Sequence, residues 1–250
     1  MAAERNREAF YWGRRAAHDP ASVEAHLSTR RPVANGSADV PGTVATRREF
    51  LRAYQNEAYA ARYASLVHTV EAAERELGGE PALSLTGAVA RNYFKLLAYK
   101  DEYEVARLYT DTDFVARVRA GMDGEVRLRL HLAPPLLARR DPLTGRPRKR
   151  EFGSWVLGVF RVLRLFRGLR GTLLDPFGYS AERRAERRLI GDYEALVREL
   201  LAGLSPPKLA RAVELAVLPD QVRGYGPIKM AAIARFDQQR VALLKRYRDS

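Results

Sequence analysis

A mainly α-helical domain with one small β-hairpin, α+β in the broad sense, is the fold class this chain predicts, on three observations. Apolar side chains recur every three to four positions through most of its 250 residues, the spacing of helices with one buried stripe. Only residues 125–132 alternate strictly between apolar and polar, the period of a half-buried strand. Hydrophobic residues make up 46% of the chain, enough to build a core, so wholesale disorder is excluded.

In chain order, residues 4–17 read as a short helix, and Asp19-Pro20 begins another with proline at the first helical position. Residues 31–45 are rich in Pro, Gly and Ser without a period and read as a linker. A long helix is expected over 46–77, with Leu66, Val70, Ala73 and Leu77 as its stripe, Tyr54, Tyr59 and Tyr63 near the same side, and Gly78-Gly79 as its stop. The next runs from Thr86 to Tyr109. Its apolar stripe of Val89, Tyr93, Leu96 and Leu97 continues onto Lys100, Tyr103 and Arg107, so the buried face turns charged halfway along. A third helix covers 111–121.

In the strand, Val126, Leu128, Leu130 and Leu132 share one face, and Glu125, Arg127, Arg129 and His131 the other. Pro134-Pro135 stops it, Asp141-Pro-Leu-Thr-Gly145 has turn chemistry, and 147–152 returns as the second arm. A helix over 154–167 turns Val156, Val159, Phe160, Leu163 and Phe166 inward. Gly168 ends it, because Arg167 and Arg170 would otherwise enter the apolar face. Ser180 caps a helix over 181–203 with Leu189, Tyr193, Leu196, Val197, Leu200 and Leu204 inside. Pro206-Pro207 opens a helix to 218, and Gly224-Tyr-Gly-Pro227 opens the last, to about 247.

The chain has no cysteine, which removes disulfides, thiolate nucleophiles, zinc–thiolate sites and cysteine-ligated iron–sulfur clusters. Its four histidines form no close ligand pair. No apolar run is long enough to span a bilayer, and the N-terminal residues lack a signal-peptide core, so the expected setting is the cytoplasm and no membrane partner is expected.

The formal charge is +13, and it is concentrated: residues 125–188 hold 16 Lys and Arg against 6 Asp and Glu. Such a region implies an anionic partner. One candidate set is a charge network or anionic-ligand site made of Lys95, Lys100, Glu104, Arg107 and His131, with Lys100, Glu104 and Arg107 at helical spacing and Lys100 and Arg107 near the core. The other is a basic docking patch of Arg139, Arg140, Arg148, Lys149, Arg150 and Arg183. The basic runs lack interleaved aromatics for base stacking, which disfavours nucleic acid. The glycine pairs at 168/171 and 224/226 follow no strand and are not phosphate loops. No residue is assigned to catalysis or to a metal.

Several segments, taken in order, carry a resemblance. Ala88-Val-Ala-Arg-Asn-Tyr-Phe-Lys-Leu-Leu-Ala-Tyr-Lys-Asp-Glu-Tyr-Glu-Val-Ala-Arg-Leu-Tyr-Thr110 resembles the C-terminal region of the fused indolepyruvate ferredoxin oxidoreductases. So do His131-Leu-Ala-Pro-Pro-Leu-Leu137, Asp141–Gly145, Lys149-Arg-Glu-Phe-Gly153, Leu169-Arg-Gly171, Asp175-Pro-Phe-Gly-Tyr-Ser-Ala-Glu-Arg-Arg184 and Val222-Arg-Gly-Tyr-Gly226. The likeness covers about residues 50–248. Ala9–Arg14 and Ala17–Pro20 look like the tail of the preceding oxidoreductase domain. One departure is Gly226-Pro-Ile-Lys229, where a histidine is expected after the glycine.

The resemblance implies residues 1–30 as that tail, 31–45 as linker and 46–250 as the helical C-terminal domain. It also implies a part in the oxidative decarboxylation of arylpyruvates to acyl-CoA. The thiamine diphosphate, magnesium, iron–sulfur clusters and CoA of the complete enzyme would sit on other domains or chains, since this chain has neither a diphosphate motif nor a cluster cysteine. The expected partners are those catalytic domains or subunits, with ferredoxin as a further candidate. The competing expectations are a stand-alone basic nucleic-acid-binding protein and a gene fragment without function.

Overall fold

The computed structural model describes residues 2–23, 40–78, 83–122, 127–133 and 148–249. It is mainly helical with one two-stranded antiparallel sheet, the fold class the periodicity predicts. The chain divides into two compact units, Met1–Ala38 and Asp39–Ser250. The first contains helix α1 (Ala2–His18) and a short helical turn at 20–23, where the Asp19 carboxylate accepts from the Ser22 amide at 3.1 Å.

In the second unit, α2 (Val40–Tyr54) begins inside the predicted linker, which is corrected over 40–45. Val40 and Val44 are one turn apart and buried, and Pro41 in the first turn lacks only an amide that would be unpaired there anyway. Residues 31–39 lie outside the described residues. The single helix expected over 46–77 is two. Asn56 takes an extended conformation, and its side chain accepts the Tyr59 amide, starting α3 (Glu57–Glu76).

Helix α4 (Ser84–Leu97) is the hub, with ten of its fourteen residues buried among α2, α3 and two later helices. Its N-terminus has no cap of its own, because Leu83 is left-handed (φ 45°) and makes no side-chain bond. The buried Glu74 carboxylate at the end of α3 does that work. It accepts from the Leu85 and Thr86 amides at 2.9 and 2.8 Å and from the Ser84 and Thr86 hydroxyls. A carboxylate at a helix N-terminus meets both the free amides and the positive end of the dipole.

Helix α5 (Glu102–Thr110) continues from α4 only after a break at 98–101. The helix expected over 86–109 is therefore interrupted. Asp101 caps the new start, accepting the Glu104 amide at 2.8 Å. After α6 (Phe114–Ala120) come β1 (Leu130–Leu132) and β2 (Arg150–Phe152), paired Leu130↔Phe152, His131↔Glu151 and Leu132↔Arg150. The strand is shorter than predicted, since 127–129 are irregular, and the turn at 141–145 lies outside the described residues. Helix α7 (Val156–Leu163) tightens into 3-10 turns over Arg164–Leu169. Helices α8 (Ala181–Ala202, capped by Ser180), α9 (Leu209–Val217) and α10 (Pro227–Arg248) follow the predicted order.

Two apolar clusters result. The main one joins α2, α3, α4, α8, α9 and α10. Buried tyrosines run through it, with Tyr93 between Tyr63 and Tyr193 at centroid distances of 5.9 and 6.1 Å. Their hydroxyls are satisfied: Tyr54 donates to the Tyr99 carbonyl, Tyr63 to Ala90, Tyr193 to Ala216 and Tyr93 to the Glu194 carboxylate. The smaller cluster joins Ala106 of α5, Leu130 of β1 and Val156 and Phe160 of α7.

Between the clusters sits Arg170, 4% exposed. Its Nε and Nη2 bond both oxygens of the equally buried Asp101 at 2.5 and 2.9 Å, and Nη1 donates to the Tyr54 carbonyl at 2.7 Å. The guanidinium lies 3.6 Å from the centroid of the Tyr54 ring. This one side chain ties the end of α2, the start of α5 and the segment after α7. The loop beyond it closes on Asp175, which accepts the Gly171 and Phe177 amides and the Tyr103 hydroxyl. A side chain at Gly178 would collide with Asp175 and Arg187.

Arg170→Met removes the fork and leaves the Asp101 carboxylate buried. A loss of about 3–5 kcal/mol is expected in urea denaturation. A loss below about 1 kcal/mol would place the pair among weak surface bridges.

Candidate functional site

The α4–α5 break and the hairpin together leave a groove of about 620 Å³ beside the smaller cluster. Its walls are mostly apolar: Val105 of α5, Phe152 of β2, Val159 and Phe160 of α7, Phe177 from the Asp175 loop and Tyr225. Concave apolar lining with a few fixed polar groups is the common form of a binding site. The charged groups here are Lys100, Asp101, Glu102 and Arg183.

Arg183, in the first turn of α8, donates to Glu186 at 2.6 Å and approaches Glu102 at 3.5 Å. Glu186 also pairs with Lys229 of α10. Glu102 contributes one oxygen to Arg183, while its Oε2 is enclosed without a hydrogen-bond partner among the described residues. An enclosed acceptor left unmade costs about 1–3 kcal/mol, so this oxygen is a place where a donor would be gained. Burial holds the Glu102 carboxyl above its usual range, with Arg183 opposing the shift.

The groove opens onto an exposed apolar face. Trp155, Val159, Val162, Leu165 and Phe166 are solvent-facing, and Leu173 and Leu174 beyond them are 89% and 74% exposed. This corrects the inward orientation expected of Val159 and Phe166, each 49% exposed. For Phe166 the reason is that the helix tightens to three residues per turn from Arg164, which shifts the stripe. Val159, still in the regular helix, is half exposed because it lines the open groove. Arg164 pairs with Asp111, whereas Arg161 is exposed on another side of α7.

The residues singled out by sequence do not converge. Lys95 donates to the Pro219 carbonyl at 2.8 Å and lies 3.5 Å from Asp220, and burial lowers its pKa. Lys100 is exposed at the groove rim and not near the core, because the break after α4 interrupts the stripe that would have carried it inward. Glu104 and Arg107 are a buried two-bond pair at 2.8 Å, with the Arg107 guanidinium 5.0 Å from the Phe50 ring centroid. His131 is exposed on β1, opposite Glu151. Of the docking patch, Arg148, Lys149 and Arg150 are exposed at the start of β2, and Arg139 and Arg140 lie outside the described residues. Arg183 is not part of an exposed patch, since its guanidinium is drawn between Glu102 and Glu186.

Sequence reasoning missed Asp101, Glu102 and Arg170. For Asp101 a signal was present: Asp followed three residues later by Glu104 is a helix-start pattern. No local pattern marks Arg170, whose partners lie 69 and 116 positions away.

No group of three His, Asp or Glu side chains among the described residues is arranged to hold a metal. With no cysteine, the chain has no thiolate to ligate an iron–sulfur cluster. No described helix is long and apolar enough to cross a membrane.

A carboxyl whose folded pKa is raised binds more protons in the fold than in the unfolded chain. The Glu102 contribution is therefore greatest below its ordinary value of 4.5 and is lost as pH rises through the folded value. Glu102→Gln is expected to flatten the decline in stability above about pH 4.5, read from urea midpoints between pH 4 and 8. An unchanged pH slope would contradict the burial of this carboxyl.

No curated protein and no solved structure matches the chain. Residues 40–242, nearly all of the second unit, match the model of a family of unknown function, DUF6537, and the chain belongs to that family.

Proposed function

We propose that this chain is the C-terminal accessory part of an indolepyruvate-type 2-oxoacid:ferredoxin oxidoreductase. It would dock to the parts that carry thiamine diphosphate, magnesium and the iron–sulfur clusters, and would not perform the decarboxylation itself. The observation that carries this reading is the apolar face from Trp155 to Leu174, left open by a domain whose main core is otherwise closed. An exposed apolar surface of this kind marks an interface.

Two further facts support it. The segments resembling the C-terminal region of that enzyme family occur in order along the chain. The absence of cysteine is consistent with cysteine-ligated clusters carried on another polypeptide or domain. The buried acids and bases point the same way: Arg170–Asp101 and Glu104–Arg107 are consumed in ion pairs that hold elements together. Ferredoxin, commonly acidic, is a second candidate for the exposed Arg148–Arg150 run.

Tagged protein isolated from its own cell is expected to bring down polypeptides containing thiamine diphosphate and iron–sulfur clusters, detected by mass spectrometry and iron assay. Isolation without them refutes the assignment. Reversing Arg148, Lys149 and Arg150 to Glu should weaken that assembly about tenfold at low salt, the sum of three modest rim pairs. The difference should shrink as salt rises. Tight binding of duplex or single-stranded nucleic acid, with affinity falling steeply in salt, would favour the nucleic-acid reading instead.

A further inference from the structure

We propose that the groove and the α7 face form one seat for a protein partner whose matching surface is an apolar ridge. The ridge would carry a hydrogen-bond donor that reaches Glu102 and would be flanked by carboxylates. This rests on the accessory role proposed above and specifies where and how the docking occurs.

Three observations fix the chemistry of the occupant. The groove holds about 620 Å³ of mostly apolar concave space, continuous with the exposed Trp155, Val159 and Val162, so the occupant must project. Glu102 lines the groove with one oxygen enclosed and unbonded among the described residues, so a projecting N–H or O–H would be matched there. Of the four arginines in residues 152–174, Arg164 and Arg170 are paired with Asp111 and Asp101, whereas Arg161 on α7 is exposed and Lys100 stands exposed at the groove rim, so carboxylates fit the rim. A bilayer matches the charge and the apolar side chains. Its flat surface, however, leaves a groove unfilled and holds no fixed donor at the depth of Glu102.

The test uses the full tagged chain in its own cell. A photoreactive phenylalanine analogue replaces Val159 or Val162 in the seat, or Val241 as an exposed control on α10. Crosslinks from 159 and 162, at least fivefold above 241, are expected to the thiamine- and cluster-bearing polypeptide. The joined peptide should contain apolar residues beside Asp or Glu. Arg161→Glu and Arg167→Glu should each lower the yield severalfold.

Crosslinks from the seat to lipid, to a second copy, or to nothing, while the same polypeptide still co-purifies, overturn the seat and leave the accessory role intact. Equal crosslinking from Val241 also overturns it. If that polypeptide does not co-purify at all, the accessory role falls and the seat falls with it.

Discussion

The Arg170 guanidinium is buried against Tyr54 and clasped by Asp101, and the rest of the domain is arranged around that contact. Asp101 faces two ways. It receives the guanidinium fork and also caps α5 through the Glu104 amide. The bend between α4 and α5 and the path of the chain after α7 are therefore set by one carboxylate. A buried ion pair is a poor source of net stability compared with apolar packing, but it fixes geometry. Any other register would leave a charge enclosed without its partner.

That geometry separates two regions with different physical character. The main core is closed, with stacked tyrosines whose hydroxyls end on carbonyls or on Glu194. The smaller cluster is open. Helix α7 has only two turns, and it covers α5 and the hairpin with one side while the other side meets solvent. The groove lies along this boundary, bordered by charges already engaged elsewhere: Arg183 with Glu186, and Glu186 with Lys229. The buried titratable groups Asp101, Glu104, Arg107 and Arg170 thus position elements, and the groove walls are mostly apolar.

The helices and the hairpin were legible because periodicity survives wherever a helix buries one side, as in α8 from Leu189 to Leu200. Ser180 and Pro227 marked starts because caps and first-turn prolines act through adjacent backbone. The breaks at Asn56 and Asp101 were readable in principle for the same reason, but the apolar stripes run across them and mask the caps. The groove was not legible. Glu102, Phe152, Val159, Arg183 and Tyr225 meet there from separate segments, and no spacing rule links them.

By itself, the sequence determined the helical class, the small hairpin, the concentration of positive charge and the exclusion of thiolate chemistry. These follow from composition and from patterns shorter than one element. Only the tertiary structure decided that Lys100 stays exposed while Arg170 is buried, that Arg183 is enclosed rather than part of a surface patch, and that α7 keeps an apolar face in water. Those outcomes depend on which distant carboxylate reaches which guanidinium. That choice is made by packing after the elements exist, and it leaves no mark in local spacing.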